Sequence, residues 1–161
     1  MIISGYQGIG KSTIAGKENC IDLESGNFWV GSRRPRNWYK IYANIANNLS
    51  KQGYTVFVSC HEEVRKELEN LDEQVVVICP SLWLKDEWID RLKERYLSSS
   101  NIKDKAKNMR ALTNSEESYD DSIKSIIEGK LAVYIITSMD YDLSKIINNL
   151  RNGVNVDERE D

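Results

Sequence analysis

Two glycines, a lysine and a serine near the start of the chain have a spacing that suits phosphate binding. Gly5 and Gly10 enclose four residues, and Lys11 and Ser12 follow directly. Glycines let successive backbone N–H groups curl around an anion, and a helix that follows offers the positive end of its dipole to the same charge. We therefore expect this run to cradle the phosphates of a nucleoside triphosphate.

The spacing is that of the Walker A motif, and the apolar run before it supplies the strand that the motif requires. In such a motif Lys11 would reach the β- and γ-phosphates, and the hydroxyl of Ser12 would hold Mg²⁺. The expected cofactors are therefore ATP and Mg²⁺. The residues predicted to bind the nucleotide are Gly5, Gln7, Gly8, Ile9, Gly10, Lys11, Ser12 and Thr13.

An acidic residue is available for proton transfer at the end of the second apolar run, 20–23. Asp22 lies there, and parallel α/β sheets bind ligands at the carboxyl ends of their strands. Asp22 would accept the proton of an acceptor hydroxyl. The alternative is that it only holds Mg²⁺ through water or caps the next segment. Glu24 is a weaker candidate on the same face of the strand.

Two groups of basic residues could bind phosphates. Arg91 and Arg95 lie four residues apart on a predicted helix, so they would project from one face toward a transferring phosphoryl group. Alternatively, they belong to a solvated face and pair with neighbouring acids. Arg110 could close over the site. The candidate clamp for an acceptor phosphate, or alternatively a solvated loop, comprises Arg33, Arg34 and Arg36.

His61 is the only histidine and follows the third apolar run. It could orient an acceptor or relay a proton, or it could make structural hydrogen bonds alone. Ser59 stands where an ATPase would carry a Walker B acid, which this chain lacks. A guanine-reading Asn-Lys-x-Asp element is also missing, so the pattern disfavours a GTPase.

Five short apolar runs alternate with amphipathic helical stretches along the chain. The runs are 1–4, 20–23, 55–59, 75–79 and 131–137. This order predicts a three-layer α/β fold with a five-stranded parallel sheet. We expect one domain over 1–150, with the polar stretch 98–117 as a flexible basic lid, and an acidic tail over 151–161.

The composition limits the class of protein. The chain has 161 residues, 40% of them hydrophobic, which is enough for one buried core. No apolar run reaches the roughly 18 residues of a membrane span, and no charged leader precedes the first strand, so we expect a cytoplasmic protein without a membrane partner. The net charge of −3 gives no general attraction to nucleic acid. Cys20, Cys60 and Cys79 lack paired spacing and are expected to be reduced.

Four segments together resemble the small P-loop nucleotide kinases. They are 5–13, 21–25 (Ile-Asp-Leu-Glu-Ser), 58–61 (Val-Ser-Cys-His) and 84–91 (Leu-Lys-Asp-Glu-Trp-Ile-Asp-Arg) with Arg95. More narrowly, the chain is similar over most of 1–150 to phage-encoded 5-hydroxymethyluracil DNA kinases. The resemblance implies a P-loop fold in which the cradle, two strand ends and a basic lid surround one cleft.

The same resemblance implies transfer of the γ-phosphate of ATP to a pyrimidine deoxynucleotide. The best candidate acceptor is the hydroxymethyl group of 5-hydroxymethyluracil in phage DNA, which would place the protein in the host cytoplasm. One alternative is a kinase for free deoxynucleoside monophosphates. A second, from another class, is a non-catalytic switch that binds a nucleotide without turning it over.

Overall fold

The computed structural model describes residues 1–17 and 19–153, and it contains one sheet of five parallel strands. The strands are β1 (Ile2–Gly5), β2 (Cys20–Asp22), β3 (Thr55–Val58), β4 (Val75–Pro80) and β5 (Ala132–Ile136). Each lies within one residue of the predicted run. The predicted parallel sheet of an α/β fold is therefore confirmed.

Helices connect the strands and cover both faces of the sheet. They are α1 (Lys11–Ile14), α2 (Trp38–Lys51), α3 (Glu62–Leu68), α4 (Lys85–Leu97), α5 (Ile102–Glu128) and α6 (Leu143–Arg151). Two short 3₁₀ turns, Ser25–Phe28 and Leu82–Leu84, precede α2 and α4. Within the described part of the chain, no helix combines the length and apolar character that a bilayer span requires.

The strands are apolar throughout because both of their faces are covered. Ile2 packs in a cluster with residues of α2 and α3, whereas its neighbour Ile3 packs in a second cluster with residues of α4, α5 and α6. Val56 and Phe57 on β3 divide between the two clusters in the same way. Alternate residues of a strand point to opposite faces, so a strand covered on both sides needs apolar residues at every position.

The strand order places the end of β1 at the centre of the molecule. The order is β2-β3-β1-β4-β5, so the chain leaves β1 for an edge strand, returns through β3 and then crosses to β4 on the other side. Ligands of open α/β sheets bind outside the carboxyl ends of strands where the winding reverses in this way. The glycine loop, residues 5–12, lies at that position.

The polar stretch 98–117, predicted as a flexible lid, is mostly helical. From Ile102 it forms the first part of α5. The Asn101 side chain caps the start of this helix by accepting a hydrogen bond from the Asp104 N–H at 2.8 Å. A break in helical geometry at Ser118 separates this part, the lid arm (102–117), from a second part that enters the core. A helix with a largely solvated surface shows little apolar periodicity, which explains why the sequence did not indicate a helix here.

The predicted tail also begins later than expected. Arg151 belongs to α6, and its Nη2 donates to the Thr55 Oγ1 of β3 at 2.8 Å. Residues 154–161 of the predicted acidic tail lie outside the described residues. The three cysteines form no disulfide, as their spacing indicated.

Candidate functional site

The glycine loop has the backbone conformation that its glycines predict. Gly8 and Gly10 have φ angles of 89° and 100°, which side chains other than glycine rarely adopt. A Cβ atom on Gly8 would also lie 3.2 Å from the indole nitrogen of Trp88. The backbone N–H groups of Gly8, Gly10 and Lys11 donate no hydrogen bond to the described residues. The loop can therefore offer these groups to an anion.

The helix after the loop differs from the sequence expectation. α1 contains only four residues, Lys11 to Ile14, and then gives way to turns. A helix dipole grows from the sum of aligned peptide units, so a single turn adds little positive potential. Any attraction for phosphate must come mainly from the N–H groups of the loop and from the Lys11 ammonium.

A cleft of about 520 Å³ opens on one side of the glycine loop. The loop and α1 form one wall, Arg91 and Arg95 of α4 form another, and residues 141–144, at the start of α6, form the third. The cleft thus joins the carboxyl end of β1 to the segment after β5. Its size and mixed lining suit a small polar molecule.

The two arginines predicted to act together have different surroundings. Arg91 donates to the Tyr141 hydroxyl at 2.7 Å and to the Gly8 carbonyl at 3.4 Å, and its guanidinium lies 4.7 Å from the centre of the Trp88 ring. The Arg95 side chain makes no hydrogen bond or salt bridge to the described residues. Both line the cleft, but only Arg95 presents an uncommitted guanidinium to it.

Asp22, the candidate base, has an unsatisfied oxygen on the opposite side of the loop. Its Oδ1 is buried and has no hydrogen-bond partner among the described residues. Burial raises the pKa of the Asp22 carboxyl, and the nearby Glu24 adds to this rise, whereas Lys11 opposes it. Buried acceptors without partners are rare in native proteins, and an ordered water, an ion or a ligand commonly supplies the contact.

The neighbouring carboxylate is already paired. Glu24 accepts a hydrogen bond from Lys107 of the lid arm at 2.7 Å. Burial alone would raise the pKa of Glu24, but the hydrogen bond and charge of Lys107 outweigh it and hold that pKa below its usual value. A hydrogen bond between the two carboxyl groups also raises the pKa of Asp22 and lowers that of Glu24, so Asp22 is the acid that holds a proton more tightly.

Tyr42 fixes the strand ends that carry these groups. Its hydroxyl donates to the Leu23 carbonyl and accepts from the Ser59 N–H at 3.0 Å, so it joins the ends of β2 and β3. Ser59 in turn is hydrogen-bonded through Oγ to the Nδ1 of His61 at 2.8 Å. Ser59, which stands where a Walker B acid would lie, is thus part of a hydrogen-bond chain from Tyr42 to His61.

His61 lies between the loop and the arginine segment. Its ring contacts Trp38 edge-on with ring centres 5.4 Å apart. Desolvation lowers the pKa of His61 most, and the charges of Arg34 and Lys11 lower it further. The ring is therefore neutral at pH 7 and can accept or donate one hydrogen bond to a ligand.

The three arginines predicted as one clamp have different surroundings. The guanidinium of Arg34 lies between two indoles, 4.7 Å from the Trp29 ring centre and 4.3 Å from that of Trp38. Burial lowers the pKa of Arg34, and the charge of Arg110 on the lid arm lowers it further. Arg33 and Arg36 are exposed, and their side chains form no salt bridge with the described residues. The Arg34 side chain is held in place by Trp29 and Trp38, whereas Arg33 and Arg36 are surface cations.

The donor set near the loop is compatible with Mg²⁺ held jointly by protein and nucleotide. Mg²⁺ binds through one or two protein oxygens together with phosphate oxygens and water. Ser12 exposes its hydroxyl, and Asp22 offers the unpartnered oxygen. The described residues contain no cluster of three or more acidic, histidine or cysteine ligands, so no site formed by such side chains alone is present among them.

Sequence reasoning missed several residues that shape the site. Trp88 donates through Nε1 to the Gln7 carbonyl at 2.8 Å, and Gln7 donates to Ser115 of the lid arm at 2.6 Å. Tyr141 and Lys107 were also missed. Tyr141 follows the last strand, so the rule that strand ends carry ligand contacts could have identified it. Nothing in the spacing of Lys107 relates it to Glu24, 83 residues away.

The chain matches no protein-family model, and it matches no curated protein. What the site can do is therefore inferred from its own geometry and charge. The site consists of a glycine loop with unpaired N–H groups, a lysine beside the loop, and a carboxylate with one unpartnered oxygen at the end of β2.

Proposed function

We propose that the protein is an ATP-dependent phosphotransferase. The observation that carries the proposal is the combination of the glycine loop and Lys11 with the unpartnered oxygen of Asp22. The loop suits a polyphosphate, and the carboxylate suits the proton of an attacking hydroxyl. A site that only binds a nucleotide has no need for the second feature.

ATP would bind with its phosphates against the glycine loop. Its phosphates would accept hydrogen bonds from the free N–H groups of Gly8 and Gly10, and Lys11 would neutralise the β- and γ-phosphates. Arg95 has an uncommitted guanidinium at the cleft wall and would contact the phosphoryl group. Ser12 would hold Mg²⁺, which supplies charge neutralisation at the phosphates.

The acceptor would lie on the side of Asp22 and His61. The Asp22 carboxylate takes the proton of the acceptor hydroxyl while the hydroxyl oxygen bonds to the γ-phosphorus. The bond from the γ-phosphorus to the bridging oxygen breaks, and ADP leaves with that electron pair. A raised pKa strengthens Asp22 as a base and brings its titration closer to the working pH.

The acceptor we propose is the hydroxymethyl group of 5-hydroxymethyluracil in DNA. Trp29 is exposed and lies beside the Arg34 guanidinium, and a cation next to an exposed aromatic ring is a combination that can hold a nucleotide displaced from its stack. Arg33 and Arg36 are exposed cations that could pair with the DNA backbone. A free monophosphate would instead need one phosphate site, for which Arg34 and Arg110, whose charges interact, are the candidates.

Transfer of radiolabelled γ-phosphate to a panel of acceptors tests this proposal. The panel contains DNA with 5-hydroxymethyluracil, the same DNA with thymine, free deoxynucleoside monophosphates and nucleosides. Label on the hydroxymethylated DNA alone supports the proposal. Label on free monophosphates would show a phosphotransferase whose acceptor is the monophosphate rather than DNA. Tight ATP binding without any transfer would indicate a nucleotide-binding switch.

A further inference from the structure

Three consecutive carbonyl groups of the glycine loop are held from behind by side chains. The first is that of Gln7, which accepts from the Trp88 indole N–H at 2.8 Å. The third is that of Ile9, which accepts from the Tyr141 hydroxyl at 2.7 Å. The donors come from α4 and from the segment after β5, more than 80 residues and more than 130 residues away along the chain.

Arg91 completes the set. Its Nη1 donates to the Gly8 carbonyl at 3.4 Å and to the Tyr141 hydroxyl at 2.7 Å. The three side chains also stack on one another, because the Trp88 and Tyr141 rings are nearly parallel with centres 6.1 Å apart, and the guanidinium of Arg91 lies over both. Each donor is therefore fixed by the other two.

The direction of a carbonyl sets the direction of the next N–H group. The two point in opposite directions in a planar trans peptide, so anchoring the carbonyl of Gln7 turns the N–H of Gly8 away from Trp88. Anchoring the carbonyl of Ile9 turns the N–H of Gly10 away from Tyr141 in the same manner. Both N–H groups donate no hydrogen bond to the described residues.

The loop needs such support because its own helix supplies little. α1 is a single turn of four residues, which gives only a weak dipole. Gly8 and Gly10 have left-handed φ angles, and glycines have the largest conformational freedom to lose. A loop of this kind would sample other conformations unless other contacts held it.

We propose that Trp88, Arg91 and Tyr141 form a carbonyl clamp that holds the glycine loop in its phosphate-binding conformation before a nucleotide arrives. They are positioning residues of the proposed reaction, on which this inference rests. Arg91 then differs in role from Arg95, because its guanidinium donates hydrogen bonds to the Gly8 carbonyl and to the Tyr141 hydroxyl. The clamp lowers the entropy that the loop would otherwise lose on binding.

The cleanest variant is Tyr141→Phe, which keeps the stacked ring and removes only the hydroxyl. ATP affinity measured by calorimetry should fall about tenfold, the order expected for a lost buried hydrogen bond whose partner is left unsatisfied. Arg91→Lys should weaken ATP binding similarly. The double variant should lose less than the sum of the two, since the residues share one contact. Tyr54→Phe, at a tyrosine that packs against the other core cluster on the opposite face of the sheet, is the matched control and should bind as the parent does.

A second readout does not depend on nucleotide binding. The amide signals of Gly8 and Gly10 in the nucleotide-free protein should shift in Tyr141→Phe and Arg91→Lys and stay unchanged in Tyr54→Phe. If the parent binds no ATP, the proposed function fails, and these amide signals alone decide for or against the clamp. Unchanged signals in both variants overturn it.

Turnover at saturating ATP separates positioning from direct catalysis. A positioning role predicts that Arg91→Lys raises the KM for ATP at least as much as it lowers kcat. An Arg91→Lys variant with the affinity of the parent and a strongly reduced kcat would make Arg91 a catalytic residue and overturn the proposed role.

Discussion

Asp22 combines a functional advantage with a cost in stability. Its buried oxygen has no partner among the described residues, and burial raises its pKa. Folding therefore makes Asp22 hold a proton more tightly than the unfolded chain does. The free energy of unfolding then falls as the pH rises from the ordinary pKa of aspartate through the raised value, and the full cost is present above that value.

Asp22→Asn should therefore change activity and stability in opposite directions. Turnover should fall by roughly 10²–10⁴-fold because the base is lost. The melting temperature at pH 7 should rise, and the gain should shrink as the pH is lowered, which a series of thermal melts would measure. Asp72→Asn, at an exposed aspartate before β4, should affect neither quantity.

Recovery of the Asp22→Asn rate at high Mg²⁺ would show that Asp22 acts through the metal, and the role of general base would then be abandoned. A melting temperature that falls at pH 7 would contradict the account of the unpartnered oxygen.

At the scale of elements, the lid arm connects the two sides of the site. Ser115 bonds to Tyr6 and Gln7 of the loop region at 2.9 and 2.6 Å, and Lys107 bonds to Glu24 at 2.7 Å. The arm is a helix whose inner end is anchored in the core, where Leu112 and Ser115 are buried. It thus links the glycine loop to Glu24.

Lys107→Met tests the electrostatic part of this connection. The Lys107 charge lowers the pKa of both Glu24 and Asp22, so its loss should raise both values. The acid limb of the pH-rate profile should therefore move to higher pH. Stability should change by less than about 1 kcal/mol, because the salt bridge is exposed to solvent.

Lys103→Met is the control for Lys107→Met, because Lys103 is an exposed lysine on the same arm. It should leave the pH profile unchanged. An acid limb that stays in place in Lys107→Met would mean that the arm does not influence the base.

At the scale of the whole molecule, an acidic protein with a net charge of −3 carries a local basic segment. If that segment holds DNA, Arg33→Ala and Arg36→Ala should each reduce the slope of log affinity against log salt by about one. Fluorescence anisotropy with hydroxymethylated DNA over a range of salt concentrations would measure it. Lys51→Ala, at the far end of α2, should leave the slope unchanged.

A shallow slope in the parent, with DNA bound no better than a mononucleotide, would reject DNA and favour the monophosphate as acceptor.

The sequence predicts the parts of this molecule in which local pattern and tertiary structure agree. The five strands follow from continuous apolar runs, and the loop follows from glycines whose φ angles at Gly8 and Gly10 require them. The lid arm was not predicted as a helix, because a solvated helix lacks apolar periodicity. The different surroundings of Arg91 and Arg95 depend on Tyr141, about 50 residues away, which no local pattern reveals.

The central claim is that the glycine loop and Lys11 hold ATP for transfer of its γ-phosphate. The most direct measurement compares transfer of labelled γ-phosphate to the acceptor panel by the parent and by Lys11→Ala, with folding checked by circular dichroism. The account predicts transfer by the parent and a loss of at least ~10²-fold in a folded Lys11→Ala protein, since a preorganised charge at the phosphates is removed. Near-parental transfer by the folded variant would contradict it.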